Sequence, residues 1–185
     1  MLRNGKVVLR QKALEDAEQD YAWQSNSELA GLDAVQPLKV PFQVYLEEYK
    51  SIISYPSPRR FQLAVETQDG IHIGNCACYN IDYKKGEAEV GIMIGHRDYW
   101  DRGYGSDALA ALVDYIFSKT DLKLLYLKTL DYNFRAQQCF RKCGFDPDRR
   151  GESGKHTFIL MSLKRGQWFK SQYTTGLTER LPTED

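Results

Sequence analysis

The chain has no excess charge of either sign: twenty-five Lys and Arg balance twenty-five Asp and Glu in 185 residues, with a pI near 6.8. Without a global field, nucleic acid and anionic membrane surfaces are excluded as general partners. No apolar run approaches the roughly 18 residues needed to span a bilayer, and the opening MLRNGKVVLR turns polar too soon for a secretory signal. A cytoplasmic protein with no membrane association is expected. Cysteine is scarce. Cys76 and Cys78 are alternate residues, Cys139 and Cys143 lie one helical turn apart, and neither spacing matches a common zinc knuckle. Buried thiols and no metal are expected, with a four-thiolate site as the alternative. Repeats, low-complexity tracts and long linkers are missing, and Pro37 to Pro41 and Pro56-Ser57-Pro58 read as turns within one domain. At 42% hydrophobic and 27% charged the chain is neither disordered nor disulfide-dominated, and it is long enough to bury a sizeable core.

What is present is an alternation of strand and helix patterns. Val7-Val8-Leu9-Arg10 is strand-like, and Leu14 to Trp23 carries Glu15 and Asp16 in its first turn, as a helix N-terminus favours. Phe42 to Ser54 predicts a second helix. Arg60 to Thr67 and Ile71 to Tyr83 are rich in β-formers around the hairpin signal Asp69-Gly70, and Lys85-Gly86 turns the chain again into Glu87 to Gly95. From Ser106 to Lys119 the period becomes helical, with Ala108, Leu109, Leu112, Val113, Ile116 and Phe117 on one face. Leu124 to Leu130 reads as a buried strand, which makes 87–95 and 124–130 a crossover pair, parallel or near neighbours. Asn133 to Cys143 predicts a helix stopped by Gly144, and Phe145 onward and Thr157 to Leu163 supply two final strands around a turn at Gly151 to Gly154. The fold class is α+β, a single domain over 1–173 with a mixed sheet flanked by helices, and a mobile tail over 174–185.

One segment carries the chemistry. From Glu87 to Leu109 a strand runs into a glycine loop that opens an amphipathic helix. There Gly103 and Gly105 permit a tight turn, and the unpaired N–H groups of the first helical turn can converge on a phosphate. The third glycine and following acidic residue of the dinucleotide fingerprint are missing, and no Gly-Lys-Ser/Thr follows. On the glycines alone, an ordinary turn and a site for an unrelated nucleotide both stay open.

The run Tyr99-Trp-Asp-Arg-Gly-Tyr-Gly-Ser106, taken with Asn133-Phe-Arg-Ala-Gln-Gln-Cys-Phe-Arg-Lys-Cys-Gly-Phe145, resembles the GCN5-related N-acetyltransferase (GNAT) superfamily. Its ribosomal-protein N-terminal acetyltransferase (RimJ/RimL-like) branch looks nearest, since Trp100 stands where the acyl-CoA loop more often begins with Gln or Arg. The resemblance implies a GNAT-like, mostly antiparallel sheet of six to seven strands with a splayed parallel pair, and acetyl-CoA as cosubstrate. It implies that the amides of Asp101, Arg102, Gly103, Tyr104, Gly105 and Ser106 cradle the CoA pyrophosphate. Backbone groups at Ile92, Met93 and Ile94 would pair with the pantetheine arm, Asn133 would bond that arm or the loop, and Lys142 would meet a phosphate or solvent.

The implied reaction transfers an acetyl group to a primary amine of a protein N-terminus, peptide, polyamine or other small molecule by direct attack in a ternary complex. Glu89 matches the position of the family's base, acting directly or through water; partial desolvation there would raise its proton affinity. The alternative is a solvent-facing strand glutamate, and Glu87 is the weaker candidate. A backbone N–H near Ile92 or Met93 would hold the oxyanion. The family's tyrosine acid falls on Phe140, which has no proton to give and is expected to wall the thioester pocket. That departure motivates a second reading, a catalytically idle acyl-CoA-binding module for sensing or assembly. The acceptor is expected between the first two helices and the final strands, near Tyr21, Trp23, Glu28, Asp33 and Tyr45. Arg97 would meet phosphate or solvent, His72, His96 and His156 carry no assigned role, and a homodimer is left open.

Overall fold

The apolar alternation of the strands and the one-sided faces of the helices resolve into two layers of helix on one sheet. The computed structural model describes residues 2–178. In chain order the elements are β1 (Leu2–Asn4), β2 (Val7–Gln11), α1 (Ala17–Ser25), α2 (Ser27–Leu32), α3 (Phe42–Ser54), β3 (Phe61–Thr67), β4 (His72–Asp82) and β5 (Glu87–Ile94). Then follow α4 (Tyr104–Lys119), β6 (Leu124–Leu130), α5 (Phe134–Lys142), β7 (Asp146–Ser153), β8 (His156–Lys164) and α6 (Arg165–Thr178). The sheet order is β1-β2-β3-β4-β5-β6-β8-β7, antiparallel throughout except for β5 beside β6. The expected mixed, mostly antiparallel sheet with one parallel pair is present. It has eight strands rather than six or seven, because three-residue β1 adds an edge beyond β2.

Side-chain alternation explains the layering. Cys76, Cys78 and Val90 point to a core shared with Leu109, Leu112 and Ile116 of α4, all at most 1% exposed. The opposite face meets α1 and α3, where Ala17, Tyr45 and Tyr49 form a smaller cluster. All four cysteines are free, and burial pushes Cys76 and Cys78 up to about 12. Among the described residues no group of three His, Cys, Asp or Glu is arranged to hold a metal, and no helix is long and apolar enough to cross a membrane.

Two helices go beyond the sequence pattern. The six-residue α2 is capped by Asn26, whose side chain accepts from the Glu28 and Leu29 amides. Of the tail expected over 174–185, residues 174–178 continue α6, whose Trp168 is 5% exposed and donates to Asp114, and 179–185 lie outside the described residues.

Candidate active site

The parallel pair is where the sheet opens. Glu87, Ala88 and Glu89 pair with Leu124, Leu125 and Tyr126, and there the β5–β6 ladder ends although both strands continue. The Gly95 amide donates to the Ile73 carbonyl. In an antiparallel pair the backbone turns to the same neighbour at every second residue, so Met93, Gly91 and Glu89 also face β4. Val90, Ile92 and Ile94 then face the gap beside β6. Of the three positions expected to pair with pantetheine, Ile92 alone keeps both backbone groups open. Met93 directs its backbone to Asn75 on β4 and offers only its side chain, and the Ile94 carbonyl accepts from the Trp100 indole N–H at 2.6 Å.

A cleft of about 280 Å³ leads from this gap to the start of α4. Gly103 takes φ +87, a conformation that any other side chain would strain, and α4 begins immediately after it. No side chain caps the helix, so the first-turn amides of Tyr104, Gly105 and Ser106 lack intrahelical partners. Asp101, Gly103, Gly105 and Ser106 line the cleft, as do Asn133, Phe140 and Lys142. Arg102 and Tyr104 do not: the Arg102 carbonyl accepts from Lys6 at 2.7 Å, and the Tyr104 ring packs edge-on against Tyr99. The expectation for both residues concerns their backbone amides, and Tyr104, the first residue of α4, has no intrahelical partner for its amide.

Asn133 spends its side-chain oxygen capping α5 through the Ala136 amide, which leaves its NH₂ for the cleft. Phe140 is 6% exposed and joins the core as well as walling the cleft. Arg135 has a place that its sequence position did not signal. Its guanidinium lies 3.4 Å from the centroid of Trp100, and desolvation lowers its pKa. Cys139, also at the cleft, is held by Cys143 and Ser106, and hydrogen bonding from Cys143 draws its thiol below the usual range against the pull of burial.

On the other face of the sheet lies a larger cleft, about 1330 Å³, floored by β4 and β5 and walled by α1, α2 and α3. The two clefts share Leu29, Asp33, Ile92 and Met93, so they meet at the open edge of β5. Trp23, Asp33 and Tyr45 line the larger cleft as expected. Tyr21 instead packs on Phe42 and donates to the Val40 carbonyl, and Glu28 is paired with Arg97. The final strands contribute nothing to this lining, because β8 and β7 lie beyond β6 on the far side of the opening.

Glu89 is 5% exposed and lines neither cleft among the described residues. It sits where β4 bulges between Tyr79 and Asp82, with Asn80 at φ +51. The bulge aims the Asn80 amide at Glu89 at 2.9 Å, and the Lys128 ammonium stands 3.3 Å from its other oxygen. Tyr79, which pairs with Glu89 across the strands, lies between that carboxylate and the larger cleft. A Cβ added at Gly91 would be 3.4 Å from the Tyr79 hydroxyl, so this phenol covers the backbone one residue before Ile92. Burial first, then the charges of Glu89 and Asp33, raise its pKa. The one cue in the sequence was its place opposite Glu89, visible only once the register is known.

The family model described as acetyltransferase (GNAT) domain matches residues 6–146. A Bacillus licheniformis protein called uncharacterized N-acetyltransferase p20 is 28% identical over 145 residues, 77% of this chain and 80% of that one. Among solved structures, a spermidine N-acetyltransferase from Vibrio cholerae in complex with CoA and spermine superposes with a TM-score of 0.80 at 19% identity, covering 90% of this chain and 99% of that one. The aminoglycoside acetyltransferase AAC(6')-Ib in complex with coenzyme A gives 0.74 at 18% identity, with 90% and 99% covered.

Proposed function

Because the chain belongs to the GNAT acetyltransferase family and is a CoA-dependent N-acetyltransferase, we propose that its two clefts are the donor and acceptor sides of one transfer site centred on Ile92. The observation that carries this reading is the end of the β5–β6 ladder at Glu89 and Tyr126, which leaves the Ile92 N–H and carbonyl open where both clefts meet. An unpaired backbone edge in a protein interior is costly, and a ligand with amide groups restores the missing bonds. The pantetheine arm has such amides. The free first-turn amides of α4 and the charge of Arg135 and Lys142 suit the diphosphate end.

Acetyl-CoA supplies the activated acyl group; the chain aligns it and manages the protons. The Ile92 carbonyl serves the pantetheine arm, and its N–H is the donor aimed at the developing oxyanion; loss of one such donor costs about 2.7–4 kcal/mol in an acyl-transferring protease. Glu89 is the base, set back from the cleft and reaching the amine through water or Tyr79. Tyr79 takes the proton-donating part that Phe140 lacks, because its phenol stands over Gly91 beside Ile92 and, like any tyrosine, is protonated at neutral pH. Within the family we place the chain nearest the ribosomal-protein N-terminal acetyltransferase branch, supported by Trp100 ahead of Gly103 and its bond to Ile94. Four free cysteines support a reducing, cytoplasmic setting.

The test is calorimetric titration with acetyl-CoA, with ATP and NAD as controls, followed by thiol release across an amine panel. Selective acetyl-CoA binding with CoA release is expected. Binding without release from any amine would return the idle module, and no binding would remove the donor-site reading.

A further inference from the structure

The larger cleft, which is the acceptor side on the transfer-site reading and whose assignment to an acceptor class rests on that reading, has its own charge pattern. Asp20 is the buried carboxylate that an ammonium substrate would be expected to seek. It is already saturated: Lys12 lies 2.5 Å away, the Tyr49 hydroxyl donates at 2.9 Å and the Asn75 amide at 2.7 Å. Asp82, at the far end, accepts from the Lys84 and Lys85 amides and faces the Lys85 ammonium. The lining charges without an ion pair among the described residues are Asp33 and Glu48 against Arg59, Arg60 and Lys84. Over the whole lining the charges balance, Lys12, Arg59, Arg60 and Lys84 against Asp20, Asp33, Glu48 and Asp82, and Arg59 also acts on Asp82, so what distinguishes the cleft is where the charges lie. A polyamine bearing three or four cations and spanning the cleft would meet Arg59, Arg60 and Lys84 as like charges at one end.

The unspent charges are also segregated. Asp33 lines both clefts and so stands at the reacting end. The cations converge at the other end from two segments, Lys84 from the turn after β4 and the two arginines from the 57–60 turn, which is tied to β4 by the Ile81 amide bonding the Arg59 carbonyl. From Cys76, which pairs with Ile92, to Ile81 is five residues, or roughly 15–20 Å along a strand. An amino acid or aminosugar cannot touch both ends. An extended peptide of about five residues can, at about 3.3–3.6 Å each.

We propose that the acceptor is the N-terminus of a peptide or protein that carries an acidic side chain within its first six residues, the α-amine beside Asp33 and the carboxylate on Arg59, Arg60 and Lys84. The probes are free-amine hexapeptides that differ only at positions four to six, acidic, neutral or basic, with spermidine as the small-amine arm, all at saturating acetyl-CoA. The acidic peptide should exceed the basic one at least tenfold in kcat/KM, mainly through KM, and the gap should shrink as salt is raised. Reversing the charge with Arg59→Glu and Arg60→Glu together should invert the order of acidic and basic peptides, an outcome that misfolding does not produce. Spermidine or the basic peptide outrunning the acidic one would overturn the acceptor assignment while leaving the transferase reading intact. Failure of every amine despite acetyl-CoA binding would overturn both.

Discussion

Phe140 and Tyr79 show how a single residue divides the chemistry between two faces of the sheet. With a phenyl ring at 140, 6% exposed and part of the core, that position offers the smaller cleft no hydroxyl, and the phenol that covers Gly91 comes from the larger cleft. Tyr79→Phe should lower kcat by about tenfold or more with acceptor KM little changed, as expected for loss of a proton donor. Equal rates for both enzymes would return thiolate protonation to water. Glu89→Gln should lower kcat at neutral pH by about 10²-fold or more while acetyl-CoA affinity holds. A loss of Tm without loss of rate would make Glu89 a structural partner of Lys128 and Asn80 only. Glu89 was legible in the sequence as a position in a motif. Its lack of access to either cleft was not, because that depends on the bulge in β4, which brings Asn80 to it from nine residues upstream.

Within β5 the backbone alternates between a paired and an open edge, and this can be read amide by amide. Hydrogen exchange at Ile92 should slow on adding acetyl-CoA, whereas Met93, bonded toward β4, should already be slow in the free protein. Similar exchange at both positions before and after ligand would mean that no ligand bonds this edge. At the β2–α1 junction the forces are ionic. Desolvation alone would raise Asp16, but the bidentate Arg10 guanidinium at 2.7 Å, the Ala13 amide and Lys12 bring it from 3.8 down to about 2. A depressed carboxyl pKa stabilises the fold above about pH 4, and that contribution is lost as pH falls through about 2. Asp16→Asn should therefore cost about 1–3 kcal/mol near neutral pH, Arg10 keeping Glu66, and almost nothing by pH 2. Chemical denaturation of both proteins at the two pH values checks this. The helix over Phe42–Ser54 and the strand over Leu124–Leu130 fall where their patterns put them, whereas α2 has too few turns to show a period and the basic and aromatic residues of α6 obscure its buried side.

At the scale of the whole molecule, an open sheet edge means that the donor ligand completes the fold. A ligand present at about 100 times its Kd adds about 2.7 kcal/mol, which for a chain of this size is a rise in Tm of about 5–10 °C. Calorimetric melting with acetyl-CoA, with desulfo-CoA and with analogues truncated in the arm would show whether the rise tracks the pantetheine arm, as the open Ile92 edge requires. The sequence by itself determined the order of the elements other than β1, α2 and α6, the hairpin at Asp69-Gly70, a crossover pair that was parallel or near neighbours, and the glycine loop. All of these arise from local propensity, periodicity and short-range backbone geometry. Only the tertiary structure decided which atoms share a site. It turned the Ile92 backbone rather than that of Met93 into the gap, set Tyr79 in front of Glu89, stacked Arg135 on Trp100 and saturated Asp20 with Lys12. Those outcomes depend on strand register and on contacts between residues far apart in the chain, and a side chain's neighbours across a sheet are not encoded in its own spacing.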